Sequence, residues 1–273
     1  MRRIVTGANI AAALLAAALA LPVHREAQAA GPQLLRYHWV VGQRFGYART
    51  DTSIATDHYP TASAVKSTSK EVDKYSERST VTKVYPDGSG LVHTVFSHVS
   101  VTKNGKTRTY DLSHYALDVR KSTLGAVLST RSSGSLPPGL VDSNESEEFS
   151  NPTPTRYPAG TVSVGGTWPV ADTSEGETSS YRFRLLATGS ANGRPTLTIS
   201  VGHVSVRGTE GGLQLTGTGT WSGSETLYVD TGALAAPYHM VMSVKIAVKG
   251  TVEGVVVDGV TSDSDVDEAV PLR

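Results

Sequence analysis

The chain contains no cysteine. That excludes disulfides, thiol nucleophiles, thiolate metal sites and a lipidated cysteine behind a leader. A chain without such staples has to be held by its core. It also lacks an excess of either charge, with 25 basic and 25 acidic residues, so nothing attracts a nucleic-acid backbone. After residue 21 no apolar run approaches the roughly 20 residues needed to span a bilayer. Long Ala/Leu/Glu/Lys helical runs are missing from the same stretch. Catalytic signatures are missing as well. There is no Gly-x-Ser-x-Gly elbow, and Ser222 in Gly219-Thr220-Trp221-Ser222-Gly223 has the wrong spacing for one. There is no His-Glu-x-x-His. Gly217-Thr218-Gly219 has neither the third glycine nor the helix of a dinucleotide loop, and reads as a glycine-rich strand or hairpin. Asp263-Ser264-Asp265-Val266-Asp267-Glu268 starts like a calcium loop, but Glu268 stands where that loop needs glycine. The expectation is a protein that is not an enzyme and holds no metal and no cofactor.

What is present begins with a leader. Met1-Arg2-Arg3 is basic, residues 10–21 read IAAALLAAALAL, and Ala27-Gln28-Ala29 offers small residues for cleavage. This is the pattern of a secretory signal peptide over residues 1–29. Its removal leaves 244 residues, with 22 basic and 24 acidic. A chain of that length buries well over half of its unfolded surface, so disulfides are dispensable. The expected product is soluble, not lipidated, without a membrane span, and periplasmic or secreted.

The remainder reads as β-structure. Asp87-Gly88, Asn104-Gly105, Asn192-Gly193, Gly211-Gly212 and Thr231-Gly232 punctuate the chain. Asn-Gly and Asp-Gly supply the positive φ angles of tight hairpins. Between them the residues alternate. Met240, Met242, Val244, Ile246 and Val248 share one side of an extended segment, and Lys245 and Lys249 take the other. Residues 61–79 fit either a short amphipathic helix carrying Val65, Val72 and Tyr75 or a polar strand, and their Ser/Thr content favours the strand.

The tetrapeptide His-Val-Ser-Val occurs twice, at His98–Val101 and His203–Val206. Further landmarks follow the same order in both halves. Val41-Gly42-Gln43-Arg44-Phe45 matches Val164-Gly165-Gly166-Thr167-Trp168, Asp87-Gly88 matches Asn192-Gly193, and Leu117–Leu124 matches Leu227–Leu234. The reading is an internal duplication. In the first copy Val92 and Phe96 share a face, and Val99 and Val101 fall on the opposite parity. In the second, Leu197, Ile199 and Val201 share a face, and Val204 and Val206 switch. A β-bulge beside each His-Val-Ser-Val produces that slip; an unbroken alternation through Val95, Val99 and Val101 is the competing pattern.

Residues 30–131 thus form a first β-rich half and residues 159–261 a second. Residues 132–158, with Pro137-Pro138-Gly139, an acidic patch and Asn151-Pro152-Thr153-Pro154, read as a linker or surface crossing. Residues 262–273 read as an acidic tail that frays. The fold expected is all-β: antiparallel meanders in two duplicated halves, forming curved sheets as a half-barrel or sandwich, with little helix.

The Gly-x-x-Phe/Trp opening of each half, Tyr157-Pro158-Ala159-Gly160 before the second, and Val229–Leu234 resemble a family of exported bacterial proteins whose domain carries no assigned function. In the first half Val119-Arg120-Lys121-Ser122 departs from the Val-Asp-x-Gly pattern. That family supplies no catalytic residues. In outline the meander is also similar to periplasmic lipoprotein carriers, whose curved sheet cradles acyl chains, a likeness of architecture only. Two functions stand side by side. One is a non-catalytic envelope protein that binds a lipid or other apolar ligand, with Phe45, Trp168, Trp221, Met240 and Met242 as candidate ligand contacts. The other is an interaction protein that docks a protein partner of the envelope. Trp39 is a further aromatic that lines a ligand cavity or packs in the core. His98 and His203 occupy equivalent places and could bind a metal or sense pH, but no carboxylate or third ligand recurs with them, and the plainer reading is two strand histidines hydrogen-bonded at a bulge or facing water.

Overall fold

The computed structural model describes residues 31–59, 65–141, 156–174, 177–210, 213–252 and 255–272. The leader, the acidic patch between residues 142 and 148, and Gly211-Gly212 lie outside them. Strands form in chain order as β1 (Gln33–Leu34), β2 (Arg44–Tyr59), β3 (Val65–Val84), β4 (Gly90–Lys103), β5 (Lys106–Tyr110), β6 (Ala116–Lys121) and β7 (Val127–Ser133). A one-turn helix α1 (Pro138–Val141) follows. Then come β8 (Thr161–Val162), β9 (Thr167–Ser174), β10 (Glu177–Ala191), β11 (Arg194–Glu210), β12 (Leu213–Tyr228), β13 (Tyr238–Val252) and β14 (Val255–Pro271).

The fold is all-β, and every strand pairing is antiparallel. One 12-stranded sheet runs β7-β6-β4-β3-β2-β14-β13-β12-β11-β10-β9, with β5 on the side of β4. Among the described residues β7 and β9 end this order unpaired on their outer sides, as β5 does beside β4, so the sheet does not close into a barrel. The two halves are therefore one continuous sheet, joined where β14 pairs with β2 from Val260↔His58 to Pro271↔Tyr47. The short pair β1–β8 stands apart from it.

Turn chemistry sets the register. Asn104-Gly105 and Asn192-Gly193 have φ of 50° and 78°, and 52° and 74°. Positive φ at both positions is the two-residue hairpin geometry that Asn-Gly favours. Residues 65–79 belong to β3, so the strand reading of that ambiguous stretch is the observed one.

The bulges are present at both His-Val-Ser-Val segments. In β4, Ser97 pairs with Ser76 and Ser100 with Lys74, which leaves Tyr75 opposite both His98 and Val99. Burial passes from Val92, Thr94 and Phe96 to Val99 and Val101. In β11, Val201 pairs with Phe183 and Val204 with Tyr181, which leaves Arg182 opposite Gly202 and His203. Burial again changes parity, from Leu197, Ile199 and Val201 to Val204 and Val206. A second register shift occurs at Val81/Lys83 in one half and at Leu185/Ala187 in the other. The openings also match. Gly42 N–H donates to Val81 and Val81 N–H to Gln43, just as Gly165 N–H donates to Leu185 and Leu185 N–H to Gly166.

Two expectations need correction. Residues 262–271 are no frayed tail; they complete β14, paired on both sides by β13 and β2. The period-two pattern overrides the acidic composition: Asp267 and Ala269 point inward and are buried, and Glu268 and Val270 point out. Nor do residues 132–158 merely cross the surface. Ser132 and Ser133 end β7, Leu140 is fully buried, and Tyr157 is 4 % exposed in the core.

The main core cluster draws on both halves, from Val81 and Val92 to Phe183, Leu185, Leu197, Ile199 and Leu227. Burying each such aliphatic side chain contributes about 1.5–3 kcal/mol. Leu35, Tyr37 and Trp39, from the segment before β2, pack into the same cluster with Tyr157. Tyr37 is stacked between Trp39 and Tyr157, with centroids 4.9 and 4.6 Å away. Backbone bonds from Tyr37 to Thr123, from His38 to Asp230 and from Tyr157 to Leu124 tie this cover to turns of both halves. A second cluster under the first half holds Tyr75, Phe96, Leu117 and Leu140, and a third joins Val204, Val206 and Val244.

Candidate functional site

A cavity of about 350 Å3 lies between the cover and the inner face of the sheet. It is lined from β6 at one side of the strand order to β9 at the other, which requires the sheet to curl around it. Sheet twist accumulating over many strands produces such curling.

One wall is apolar. Val170, Tyr181, Phe183, Trp221, Met240 and Met242 come from the second half, and Phe45 joins them from β2. Four of the five residues expected as ligand contacts, Phe45, Trp221, Met240 and Met242, line this cavity. Trp168 stands behind it. Its ring stacks on Phe183 at 5.7 Å, and its Nε1–H donates to the Arg156 carbonyl at 2.7 Å. Trp168 therefore supports the wall without lining it.

The other wall is polar, and sequence reading missed it. Arg49 holds Asp267 in a fork, with Nε–H to Oδ1 at 2.8 Å and Nη2–H to Oδ2 at 2.7 Å. Its Nη1–H donates to the Tyr75 hydroxyl at 3.0 Å, and the Tyr238 hydroxyl donates to Asp267 Oδ2 at 2.6 Å. A two-point guanidinium–carboxylate contact fixes both side chains. Nearby, the Tyr47 hydroxyl donates to Glu77. Burial raises the Glu77 carboxyl above its ordinary value, against the pull of that hydrogen bond, Lys121 and Arg49. Burial lowers the Lys121 ammonium, and the Glu77 charge counteracts it. Burial, and then Glu77, also raises Tyr47. A usable signal existed. In β2 the parity of Phe45 continues through Tyr47, Arg49 and Asp51, so charges fall on the aromatic face. For Asp267 the signal was hidden by reading β14 as a tail.

Beyond the cavity the same inner face continues in acid. Asp267, Asp51 and Asp73 stand side by side across β14, β2 and β3. Glu71 and Asp73 are 3 % and 2 % exposed. Lys103 Nζ lies 3.1 Å from Glu71 Oε2. Burial, followed by the Glu71 and Asp51 charges, pushes the Asp73 carboxyl up to about 7. Among the described residues no cluster of three or more His, Asp or Glu side chains is arranged to hold a metal ion. His98 and His203 are exposed on β4 and β11, far apart in the strand order.

No protein-family model matches the chain, and no curated protein matches it in sequence. Among solved structures, the crystal structure of Pseudomonas aeruginosa OccK5 (OpdH) aligns over 85% of this chain and 99% of its own, with 6% identity and a TM-score of 0.25. That of Pseudomonas aeruginosa OccK7 (OpdD) aligns over 85% and 100%, with 9% identity and a TM-score of 0.17. At those scores neither structure bears on fold or function here. Among the described residues no helix is long and apolar enough to cross a membrane.

Proposed function

We propose that this chain is an exported, non-catalytic envelope protein that binds an amphiphilic ligand, lipid-like or otherwise largely apolar, inside the curled sheet. The observation that carries the reading is the cavity: aromatic and methionine side chains on one wall face fixed hydrogen-bonding groups on the other. Ligand sites combine a mostly apolar lining with a few placed polar groups in this way. Methionine adds a flexible surface suited to irregular apolar shapes. At about 350 Å3 the volume sits near the low end of the roughly 300–1,000 Å3 usual for ligand pockets. It suits one small amphiphile and is too small for the several acyl chains of a lipoprotein. The leader pattern supports export, and the absence of cysteine fits a chain that is not lipidated. The shared bulges and opening turns support an origin by internal duplication, and the resemblance to exported bacterial β-rich proteins belongs to the same reading.

Native mass spectrometry of the protein purified without detergent tests it. The expected spectrum shows an adduct of amphiphile mass that disappears on denaturation and is absent from Met242→Trp, which fills the apolar wall. A clean apo mass, together with no thermal shift on adding single-chain amphiphiles, overturns the reading.

A further inference from the structure

Among the described residues, two donors in one corner of the cavity have no hydrogen-bond partner. Trp39 lines the cavity and is 5 % exposed, and among the described residues its buried Nε1–H has no hydrogen-bond acceptor. Leaving such a donor buried without a partner costs about 1–3 kcal/mol. Lys121 lines the same cavity, and its ammonium enters no hydrogen bond or ion pair among the described residues. The counter-charge acting on it is Glu77, which is engaged by the Tyr47 hydroxyl. Strand register brings the two donors together. Lys121 pairs with Gly90 across β6 and β4, and the Trp39 indole lies flat on Gly90, where a Cβ would overlap the ring. The other cation of the cavity, Arg49, is taken up by Asp267. The positive charge available to a ligand is therefore Lys121.

We infer that Trp39 Nε1–H and Lys121 Nζ anchor the head group of the bound amphiphile, and that this head is a carboxylate. Two donors in one corner of the cavity, one of them cationic, match an acceptor-only group that carries a negative charge. The apolar body then lies along Phe45, Trp221, Met240 and Met242. A single ammonium beside a small cavity favours a monoanion. A carboxylate at Lys121 also returns to the ammonium the stabilisation that burial removes.

This inference rests on the binding reading above. Its test is calorimetric titration at pH 7 with decanoate, decan-1-ol and decylamine, using wild type, Lys121→Met, Lys121→Arg and Trp39→Phe. Circular dichroism checks each fold, and Lys121→Gln replaces the methionine variant should that one not fold. Wild type is expected to bind decanoate roughly 10- to 100-fold more tightly than decan-1-ol, the span of one charge-assisted hydrogen bond. Lys121→Met abolishes that preference and Lys121→Arg keeps it. Trp39→Phe weakens decanoate by roughly 10-fold, the value of one hydrogen bond. Binding of all three probes with equal strength, or a preference that survives in Lys121→Met, overturns the carboxylate assignment and leaves the cavity reading standing. Binding of none of the three overturns both.

Discussion

On the arm built from β2 and β3 the inward positions run Phe45, Tyr47, Arg49, Asp51 and Glu71, Asp73, Tyr75, Glu77. On the arm from β10 to β13 they run Tyr181, Phe183, Leu185 and Met240, Met242, Val244. Both arms share hairpins, opening turns and bulges, yet one presents charge to the interior and the other presents hydrocarbon. The backbone plan tolerates either, because sheet hydrogen bonding is indifferent to which side chain occupies an inward position. What differs is how each face is held. The apolar face needs only contact and exclusion of water. The charged face needs every group answered, since a buried charge left alone costs far more than a lost contact.

The sharpest way to break this comparison is to leave one inward charge unanswered. Asp267→Ala removes the carboxylate that holds Arg49 in a fork and the acceptor of Tyr238. It is expected to cost about 3–5 kcal/mol, read from the urea midpoint. A loss below 1 kcal/mol would show that cavity water satisfies Arg49 as well as Asp267 does. On the other arm, Leu197, fully buried, makes no polar contact. Leu197→Ala should cost about 3 kcal/mol from lost burial and the cavity left behind, with no change in the dependence of stability on pH.

That pH dependence is the next distinction. Asp73 is pushed up to about 7 in the folded chain, against roughly 4 when unfolded. Between those values the folded chain holds a proton that the unfolded chain has released. The Asp73 contribution to stability is therefore largest on the acid side, falls as pH rises from about 4 to about 7, and is flat above that. Glu77 and Asp265, both raised first by burial, add in the same direction. Asp73→Asn is expected to remove up to about 1.4 kcal/mol per pH unit of slope, followed as melting temperature from pH 4.5 to 7.5. An unchanged slope would assign the acid effect to other carboxylates.

The smallest effects separate the duplicated histidines. His98 sits at φ 55°, and His203 does not adopt a positive φ. His98→Gly relieves a left-handed conformation and should stabilise by about 1 kcal/mol. His203→Gly adds only unfolded-state freedom and should destabilise by roughly 0.5–1 kcal/mol. Equal signs in chemical denaturation would mean that the two bulges are energetically alike despite their different torsions.

Much of this architecture was readable in advance because its signals are local. Asn-Gly pairs write hairpins at two positions through their own torsions. The parity slip from Phe96 to Val99 and from Val201 to Val204 writes a bulge, since one inserted residue inverts every later side chain. Aromatic and methionine residues at inward parity marked four of the cavity's contacts. Other features depended on what lies across the sheet. The acidic composition of residues 262–271 suggests solvent; only pairing with β13 and β2 makes Asp267 an inward partner of Arg49, 218 positions away in the chain. Whether the halves stand apart or merge was likewise decided by that one pairing.

By itself, then, the order of residues determined most of the strands, the Asn-Gly hairpins and the parity slip at each His-Val-Ser-Val, because each follows from torsions and a period of two within a few residues. Tertiary structure alone decided that two arms curl into one sheet, that a charged face meets an apolar one around a cavity, and that Trp39 and Lys121 share its corner. Those outcomes depend on distances between segments far apart in the chain. They are set by which surfaces can be buried together, and no local pattern records them.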